Sequence, residues 1–310
     1  IDGLRALAVL PVIFFHAGFD WFKGGFVGVD VFFVISGYLI TTIIISEISY
    51  GNFSLINFYE RRARRILPAL FFVMAACIPF SILWLSPSYL KDFGQSLIAV
   101  STFSSNFLFW WESGYFDTAA ELKPLLHTWS LAIEEQFYIL FPLILILSVY
   151  FGMSRILFFL SIIFLLSLAL TFWGMNKSLS ASFYLLPTRG WELLAGSFTA
   201  FYLNNRELKI FNLLKEILSI LGFCMIIYSI VMFDETTPFP SHYTLIPVLG
   251  TVLIIIFSDS NTFLSTLLSF RPLVAVGLVS YSAYLWHQPI LAFARYRLVE
   301  DLSLITVFAL

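Results

Sequence analysis

An arginine and a histidine share one face of the first apolar segment. Arg5 and His16 are separated by three helical turns plus about 20°, so both side chains project the same way, about 16 Å apart along the axis. Ionisable side chains are costly inside a membrane and are functional candidates by default. Arg5 could instead extend to the membrane surface, and His16 could be a hydrogen-bonded core residue. The shared face favours a polar stripe across most of the bilayer, with an imidazole that could act as a base.

A carboxylate follows in the second apolar segment. Asp30 lies just inside its start, and the turn from the first segment is short, so Asp30 is expected to approach His16. A carboxylate that orients an imidazole raises its basicity. Asp30 could instead cap its helix. Ser36, together with Gly37, is expected to serve close helix packing or to line a cavity.

A cluster of arginines follows the second apolar segment, in the predicted loop 47–65. Its members are Arg61, Arg62, Arg64 and Arg65. Arginine binds phosphate through two parallel hydrogen bonds, and phosphates are the anionic part of any coenzyme A. Such a cluster also follows from the positive-inside rule alone. The cluster therefore predicts a cytoplasmic loop and permits a phosphate site.

A histidine and two adjacent glutamates mark the segment that begins near residue 129. His127 and Glu134 lie on one helical face, and Glu135 is adjacent to Glu134. Two neighbouring carboxylates have no structural use against lipid, so at least one must face a cavity or a cation. A buried ion pair is the alternative. His127 falls at the membrane boundary, which is more typical of an interfacial residue.

Two further segments carry polar side chains. Arg189 and Glu192 are three residues apart and can pair with each other, or Arg189 can reach Glu134 in a cavity. His287 precedes Pro289 near the end of its segment, among aromatic residues. A histidine there is more often interfacial, and a cavity position is the alternative.

The composition places these residues in a membrane protein. Of 310 residues, 60% are hydrophobic and only 12% are charged, against about 25% charged in soluble domains. The net charge of −2 carries no information about a polyanionic partner, and no nucleic-acid partner is expected. A membrane helix needs about 20 mostly apolar residues. The predicted segments are 4–22, 26–46, 66–86, 93–111, 129–149, 156–174, 189–203, 216–233, 244–257, 273–294 and 302 onward.

Charge bias between the segments predicts which of them cross. If every segment crossed fully, the acidic loop 112–127 would be cytoplasmic and the basic loop 204–215 would be outside, against the positive-inside rule. A re-entrant segment 93–111, rich in serine and threonine, resolves both conflicts. We therefore expect an all-α polytopic bundle of about ten spans plus one re-entrant segment. Residues 1–310 are expected to form one domain, truncated at both ends.

The motifs along nearly the whole chain resemble those of the acyltransferase-3 membrane family, which includes bacterial O-antigen and peptidoglycan O-acetyltransferases. The motifs that carry the resemblance are IDGLRALAVLPVIFFH, GGFVGVDVFFVISGYLIT, FYERRARRILPAL, LLHTWSLAIEEQFY, RGWELLAG and SYSAYLWHQP. The arginine–histidine pair and the HTWSL block are highly specific when they occur together and in this order.

The resemblance implies a site and a pair of substrates. Arg5 and His16 match the family's essential pair, the arginine cluster matches its required cytoplasmic arginines, and Glu134 matches its required glutamate, whereas Glu135 falls on a variable position. Family members take acetyl or another short acyl group from acyl-CoA and modify extracytoplasmic glycans, which implies a multi-pass protein of the bacterial cytoplasmic membrane. Some carry an SGNH esterase-like domain after an extra span, beyond the end of this chain.

These observations lead to a mechanism and to a rival. Acyl-CoA would bind the cytoplasmic arginines, its pantetheine arm would pass Arg5, and His16 would act as general base or as transient acyl carrier, oriented by Asp30 or Glu134. No histidine pair has the spacing of metal ligands, so no metal is expected. The rival is a proton-coupled secondary transporter that uses His16 and Glu134, although no inverted repeat is visible.

Overall fold

The protein is an assembly of α-helices in a computed structural model that describes residues 1–112, 121–204 and 210–297. No β-strand occurs in these ranges. The helices are α1 Asp2–His16, α2 Gly28–Ser49, α3 Leu55–Trp84, α4 Pro87–Ser101, α5 Ser105–Glu112, α6 Thr128–Phe151, α7 Met153–Gly174, α8 Leu179–Tyr184, α9 Leu186–Leu203, α10 Asn212–Met232, α11 Leu245–Phe257, α12 Phe263–Leu268 and α13 Arg271–Arg297.

The all-α prediction is confirmed, and five of the described helical segments are long and apolar enough to cross a membrane. These are Gly25–Ser49, Leu55–Trp84, Thr128–Phe151, Met153–Gly174 and Asn212–Met232. Other predicted spans coincide with shorter helices: α1 has 15 residues and α11 has 13, against the roughly 20 that a bilayer requires. The number of crossings therefore stays a prediction, and the expected segment from 302 onward lies outside the described residues.

Most of the predicted loop 47–65 is helical, and its cytoplasmic side stays a prediction. Helix α3 begins at Leu55, and the Ser54 hydroxyl caps it by accepting a hydrogen bond from the Asn57 amide. All members of the arginine cluster lie in the first turns of this helix. Arginine is a good helix former, so a charged run beside an apolar segment extends the helix instead of ending it. The helix also contains Pro68 and Pro79, which membrane helices tolerate when neighbours satisfy the freed backbone.

Glycines allow two helix pairs to approach closely. A Cβ atom on Gly37 of α2 would lie 1.8 Å from the carbonyl oxygen of Leu193 in α9, and one on Gly196 would lie 2.0 Å from that of Val34. A Cβ atom on Gly277 of α13 would lie 1.8 Å from the Asp2 carbonyl oxygen in α1. Membrane helices associate through such small residues. These contacts bring the first and the last described helices side by side.

The segment predicted to be re-entrant is divided into two helices. Helix α4 ends at Ser101 and α5 starts at Ser105. Between them Phe103 adopts φ 52°, a left-handed conformation that non-glycine residues rarely take. The Gln136 amide of α6 donates a 2.9 Å hydrogen bond to the Phe103 carbonyl. The polar break is thus satisfied by protein, as a non-helical backbone inside a membrane requires.

The two ends of this segment lie near the same part of α13. At the start of α4, the Tyr89 ring is 5.8 Å from the Tyr296 ring. At the end of α5, Glu112 forms an ion pair with Lys123, whose carbonyl accepts a hydrogen bond from Gln288. This arrangement agrees with a segment that enters and leaves on one side. Re-entrance across a membrane stays a prediction, and residues 113–120 and 205–209 of the two charged loops lie outside the described residues.

Candidate active site

A cavity of about 100 Å³ lies among α1, α2, α3, α6 and α13. Its polar lining consists of Arg5, Ser36, Arg62, Arg65, Ser130, Glu134, Tyr138, Ser280, Tyr281 and Tyr284. Arg62 and Arg65 come from the first turns of α3, and Ser130 and Tyr284 mark the opposite end. We call the two ends of the bundle the arginine end and the histidine end. The cavity therefore joins several of the predicted site residues in one enclosed space.

Glu134 is the carboxylate that lines this cavity, and two hydroxyl groups bind it. The Ser36 hydroxyl donates to its Oε1 at 2.8 Å, and the Tyr138 hydroxyl lies 3.3 Å from its Oε2 and 2.9 Å from Ser36 Oγ. Arg5 lines the same cavity. Ser36 therefore binds Glu134 in the cavity in addition to any role in helix packing. The alternative in which Glu134 pairs with Arg189 is wrong, because Arg189 pairs with Asp30 and Glu192. Glu135 is buried and is not among the described residues that line the cavity.

The arginine cluster splits into two pairs. Arg62 and Arg65 line the cavity. Arg61 instead pairs with Glu47 at 2.6 Å, and Arg64 pairs with Glu60 at 2.7 Å on its own helix. Of the arginine cluster, therefore, only Arg62 and Arg65 present their charge to the cavity, which Arg5 of α1 also lines.

Three of the four histidines meet at the other end. The ring centroid of His287 lies 5.1 Å from that of His16 and 5.2 Å from that of His127. His127 and His287 are only 3% and 5% exposed, so both side chains are buried inside the protein, and their depth in the membrane stays a prediction. The three histidines come from α13, the end of α1 and the residue before α6. Because the three residues are far apart in sequence, the sequence alone did not predict this cluster.

Backbone hydrogen bonds fix the tautomers of two imidazoles. His16 Nδ1 lies 2.8 Å from the Val12 carbonyl oxygen, and His287 Nδ1 lies 2.5 Å from the Tyr284 carbonyl oxygen. A carbonyl only accepts, so Nδ1 carries the proton in each neutral ring and Nε2 is free to accept one. The Arg295 guanidinium donates to the His16 carbonyl at 2.6 Å and anchors the end of α1. His16 therefore has the form that a general base needs.

Tyr284 separates the cavity from the histidines. Its hydroxyl is 2.6 Å from Ser130 Oγ and 3.0 Å from the His127 carbonyl oxygen that accepts from it. Its ring centroid is 5.2 Å from that of His287. No histidine is among the described residues that line the cavity. Tyr284 therefore lines the cavity on one side and contacts the histidine cluster on the other.

Asp30 does not approach His16 as the sequence predicted. It is fully buried and forms an ion pair with Arg189, with Oδ1 2.9 Å from Nη2. Arg189 also lies 3.3 Å from Glu192, so the predicted local pair of these two residues forms. The guanidinium carbon of Arg189 lies within 6 Å of four aromatic rings, Phe33, Trp129, Phe183 and Phe239. The close packing of α2 on α9 places Asp30 against this arginine instead of against α1.

Sequence reasoning missed six residues of the site. They are Ser130, Tyr138, Ser280, Tyr281, Tyr284 and Arg295, whose residue types alone gave no reason to single them out. Tyr138 stands one turn after Glu134, and Tyr284 stands three residues before His287, so helical spacing from a chosen residue could have found both. No three His, Cys, Asp or Glu side chains in the described ranges are arranged to hold a metal ion, although three imidazoles gather here.

Comparison with known proteins gives this site a family. The profile of a family described as an acyltransferase domain, Acyl_transf_3, matches residues 1–310. The chain is 36% identical over 312 residues to the peptidoglycan O-acetyltransferase OatA of Listeria monocytogenes, covering 94% of this chain and 49% of the relative. It is 35% identical over 315 residues to the O-acetyltransferase OatA of Staphylococcus aureus, covering 97% of this chain and 51% of the relative.

These relatives are longer proteins, and the chain spans about half the length of the curated relatives it matches. No solved structure matches it. The family match covers every residue of the cavity and of the histidine cluster. With its several long apolar helices, the chain is a multi-pass membrane enzyme that belongs to the acyltransferase-3 family.

Proposed function

We propose that this enzyme moves an acyl group, acetyl in the first place, from cytoplasmic acyl-CoA to a hydroxyl of an extracytoplasmic cell-surface glycan. The observation that carries the proposal is the cavity that runs from Arg62 and Arg65 past Glu134 to Tyr284, with His16 beyond it. The names of the relatives favour peptidoglycan over O-antigen or exopolysaccharide as the acceptor. The enzyme would act from the bacterial cytoplasmic membrane.

The donor enters at the arginine end. The guanidinium groups of Arg62 and Arg65 line the cavity and form no ion pair within the described ranges, and they suit the phosphates of coenzyme A. The pantetheine arm then passes Arg5 and Glu134 along the cavity. Acetyl-CoA is a substrate here, and the chemistry needs no resident cofactor beyond the residues of the chain.

The acceptor enters at the histidine end. Its hydroxyl donates to His16 Nε2, which removes the proton while the oxygen attacks the thioester carbonyl carbon. The carbon–sulfur bond breaks, and the thiolate takes up a proton to leave as the thiol of coenzyme A. In the second variant, His16 Nε2 attacks first and carries the acyl group to the hydroxyl. In both variants the thioester has to pass Tyr284, which lines the cavity and contacts the rings of His127 and His287.

The test measures both products at once. The full chain in proteoliposomes is supplied with radiolabelled acetyl-CoA on one face and with soluble peptidoglycan fragments on the other. We expect label on the glycan and an equal amount of free thiol, both lost in His16→Ala. A proton-coupled transporter would move substrate without releasing thiol, and that result would refute the proposal.

The acceptor is identified in cells. Mass spectra of the cell-wall glycans, with and without the gene, should differ by acetyl groups on one sugar hydroxyl. Loss of acetyl from a different polymer, such as an O-antigen or an exopolysaccharide, would keep the acyl-transfer chemistry and replace peptidoglycan as the acceptor.

A further inference from the structure

A second cavity lies on the outside of the bundle, between α3 and α13, toward the histidine end. Its volume is about 390 Å³. It is lined by Ala76, Cys77, Phe80, Trp84, Trp286, Pro289, Ile290, Phe293, Ala294 and Arg297. It shares no residue with the cavity that holds Glu134. We call it the α3–α13 groove.

Aromatic side chains and two small residues shape the groove. The rings of Phe80, Trp84 and Phe293 pack on one another with centroids 5.0 to 5.8 Å apart. Ala76 and Ala294 leave space between the helices. Apart from one arginine, every lining side chain is apolar or weakly polar. Such a surface suits a hydrocarbon chain, because burial of apolar surface in a preformed apolar cavity lowers the free energy of binding.

The exception, Arg297, lies at the end of the groove. Its side chain is exposed, and its guanidinium carbon stands 5.6 Å from the centroid of the Trp84 ring. It forms no ion pair with any residue of the described ranges, whereas Arg295, two positions earlier, pairs with Glu121. A cation over a tryptophan at the end of an apolar groove is complementary to a ligand that joins a hydrocarbon chain to an anion.

We propose that the α3–α13 groove binds one chain of an anionic membrane lipid whose phosphate pairs with Arg297. The proposal does not depend on the acyl-transfer reaction. Its position has a consequence for that reaction, because Trp286 of the groove adjoins His287 and Arg295 holds the His16 carbonyl. A bound lipid would thus pack against the helix that presents His287.

The direct test is native mass spectrometry of the full chain, released from detergent after incubation with phosphatidylglycerol or with phosphatidylcholine. We expect one tightly retained phosphatidylglycerol and weaker retention of phosphatidylcholine. Arg297→Gln should weaken phosphatidylglycerol binding about fivefold and remove the preference. Arg271→Gln, at the other end of the same helix, is the matched control. It should keep both the affinity for phosphatidylglycerol and the preference for it over phosphatidylcholine.

A second variant fills the groove. Ala294→Trp should abolish retention of the lipid, whereas Val279→Trp, a lipid-facing position of the same helix that is 57% exposed, should not. Equal retention of both lipids in all variants would overturn the proposal. So would retention in Ala294→Trp, because the lipid would then bind elsewhere.

A cysteine placed in the groove locates the ligand. Cys77 lines the groove but is buried, so the probe is Ala294→Cys in a background with Cys77→Ala and Cys224→Ser. Phosphatidylglycerol should slow the alkylation of the Ala294→Cys thiol by N-ethylmaleimide, and should not slow it when Arg297→Gln is added. Equal alkylation rates with and without phosphatidylglycerol would place the lipid elsewhere and overturn the proposal.

Discussion

His16 and His287 belong to the first and the last described helices, and their ring centroids are 5.1 Å apart. Each donates its Nδ1 proton to a carbonyl of its own helix, so Nε2 is the acceptor nitrogen in both rings, of which His287 is buried and His16 half-buried. Close packing of α1 on α13 at Gly277 brings them together. Two neighbouring imidazoles that each offer an acceptor nitrogen suit a glycan, because two of its hydroxyls can donate hydrogen bonds, one to each ring.

Removal of the His16 imidazole should abolish transfer and leave the protein folded. We expect His16→Ala to lower the rate of acetyl transfer by about 10²–10⁴ if His16 is a general base, and by more if it carries the acyl group. The rate is measured as thiol release in proteoliposomes. His242→Ala changes an exposed histidine and is the control. Near-normal glycan acetylation in His16→Ala would contradict the mechanism.

His287 should position the acceptor instead of taking its proton. His287→Ala removes one buried hydrogen bond, so we expect the KM for the glycan to rise roughly 5- to 150-fold, with a smaller change in kcat. His287→Asn can still donate to the Tyr284 carbonyl and accept from a hydroxyl, and it should restore part of the affinity. An unchanged KM in His287→Ala, combined with a large loss of kcat, would instead give His287 a role in proton transfer.

The arginine cluster offers a matched pair of double variants. Arg62→Gln with Arg65→Gln removes the charges that line the cavity, and should raise the KM for acetyl-CoA and make it less sensitive to salt. Arg61→Gln with Arg64→Gln removes charges that are already paired and should have little effect. Equal effects of the two double variants, or misinsertion in both, would favour a role in topology alone.

Local spacing predicted part of this site. The shared face of Arg5 and His16, and the pair Arg189–Glu192, follow from helical periodicity. The histidine cluster does not, because it depends on which helices pack together. The Asp30–His16 contact was wrong for the same reason: a short turn brings α2 near α1, but the glycine contacts of α2 with α9 decide where Asp30 points.

Helix boundaries were predicted less well than helix positions. Hydropathy finds apolar residues and therefore misses the charged turns at the start of α3, where the arginines lie. It also joined α4 and α5, because the polar break at Phe103 is too short to interrupt an apolar window. The groove at Arg297 has no signal in sequence, since alanines and aromatics there look like any lipid-facing surface.

The Asp30–Arg189 pair should stabilise the fold. Arg189→Met would leave two buried carboxylates, Asp30 and Glu192, without their cation, and we expect a loss of about 3–5 kcal/mol in the free energy of unfolding. The measurement is the thermal midpoint in detergent, followed by size-exclusion chromatography. The triple variant Asp30→Asn, Arg189→Met and Glu192→Gln removes all three charges and should recover part of the lost stability. If Asp30→Asn folds normally but is inactive, Asp30 has the catalytic role that the sequence predicted.

The last prediction concerns the segment from α4 to α5. Because its two ends both lie near the C-terminal part of α13, we expect single cysteines at Ser88 and at Glu121, both exposed positions, to react with an impermeant thiol reagent from the same side. The background lacks Cys77 and Cys224. A re-entrant segment also places His127 on the side of His16, where the acceptor is proposed to arrive. If Ser88→Cys and Glu121→Cys reacted from opposite sides, the segment would cross fully, and the re-entrant topology would be wrong.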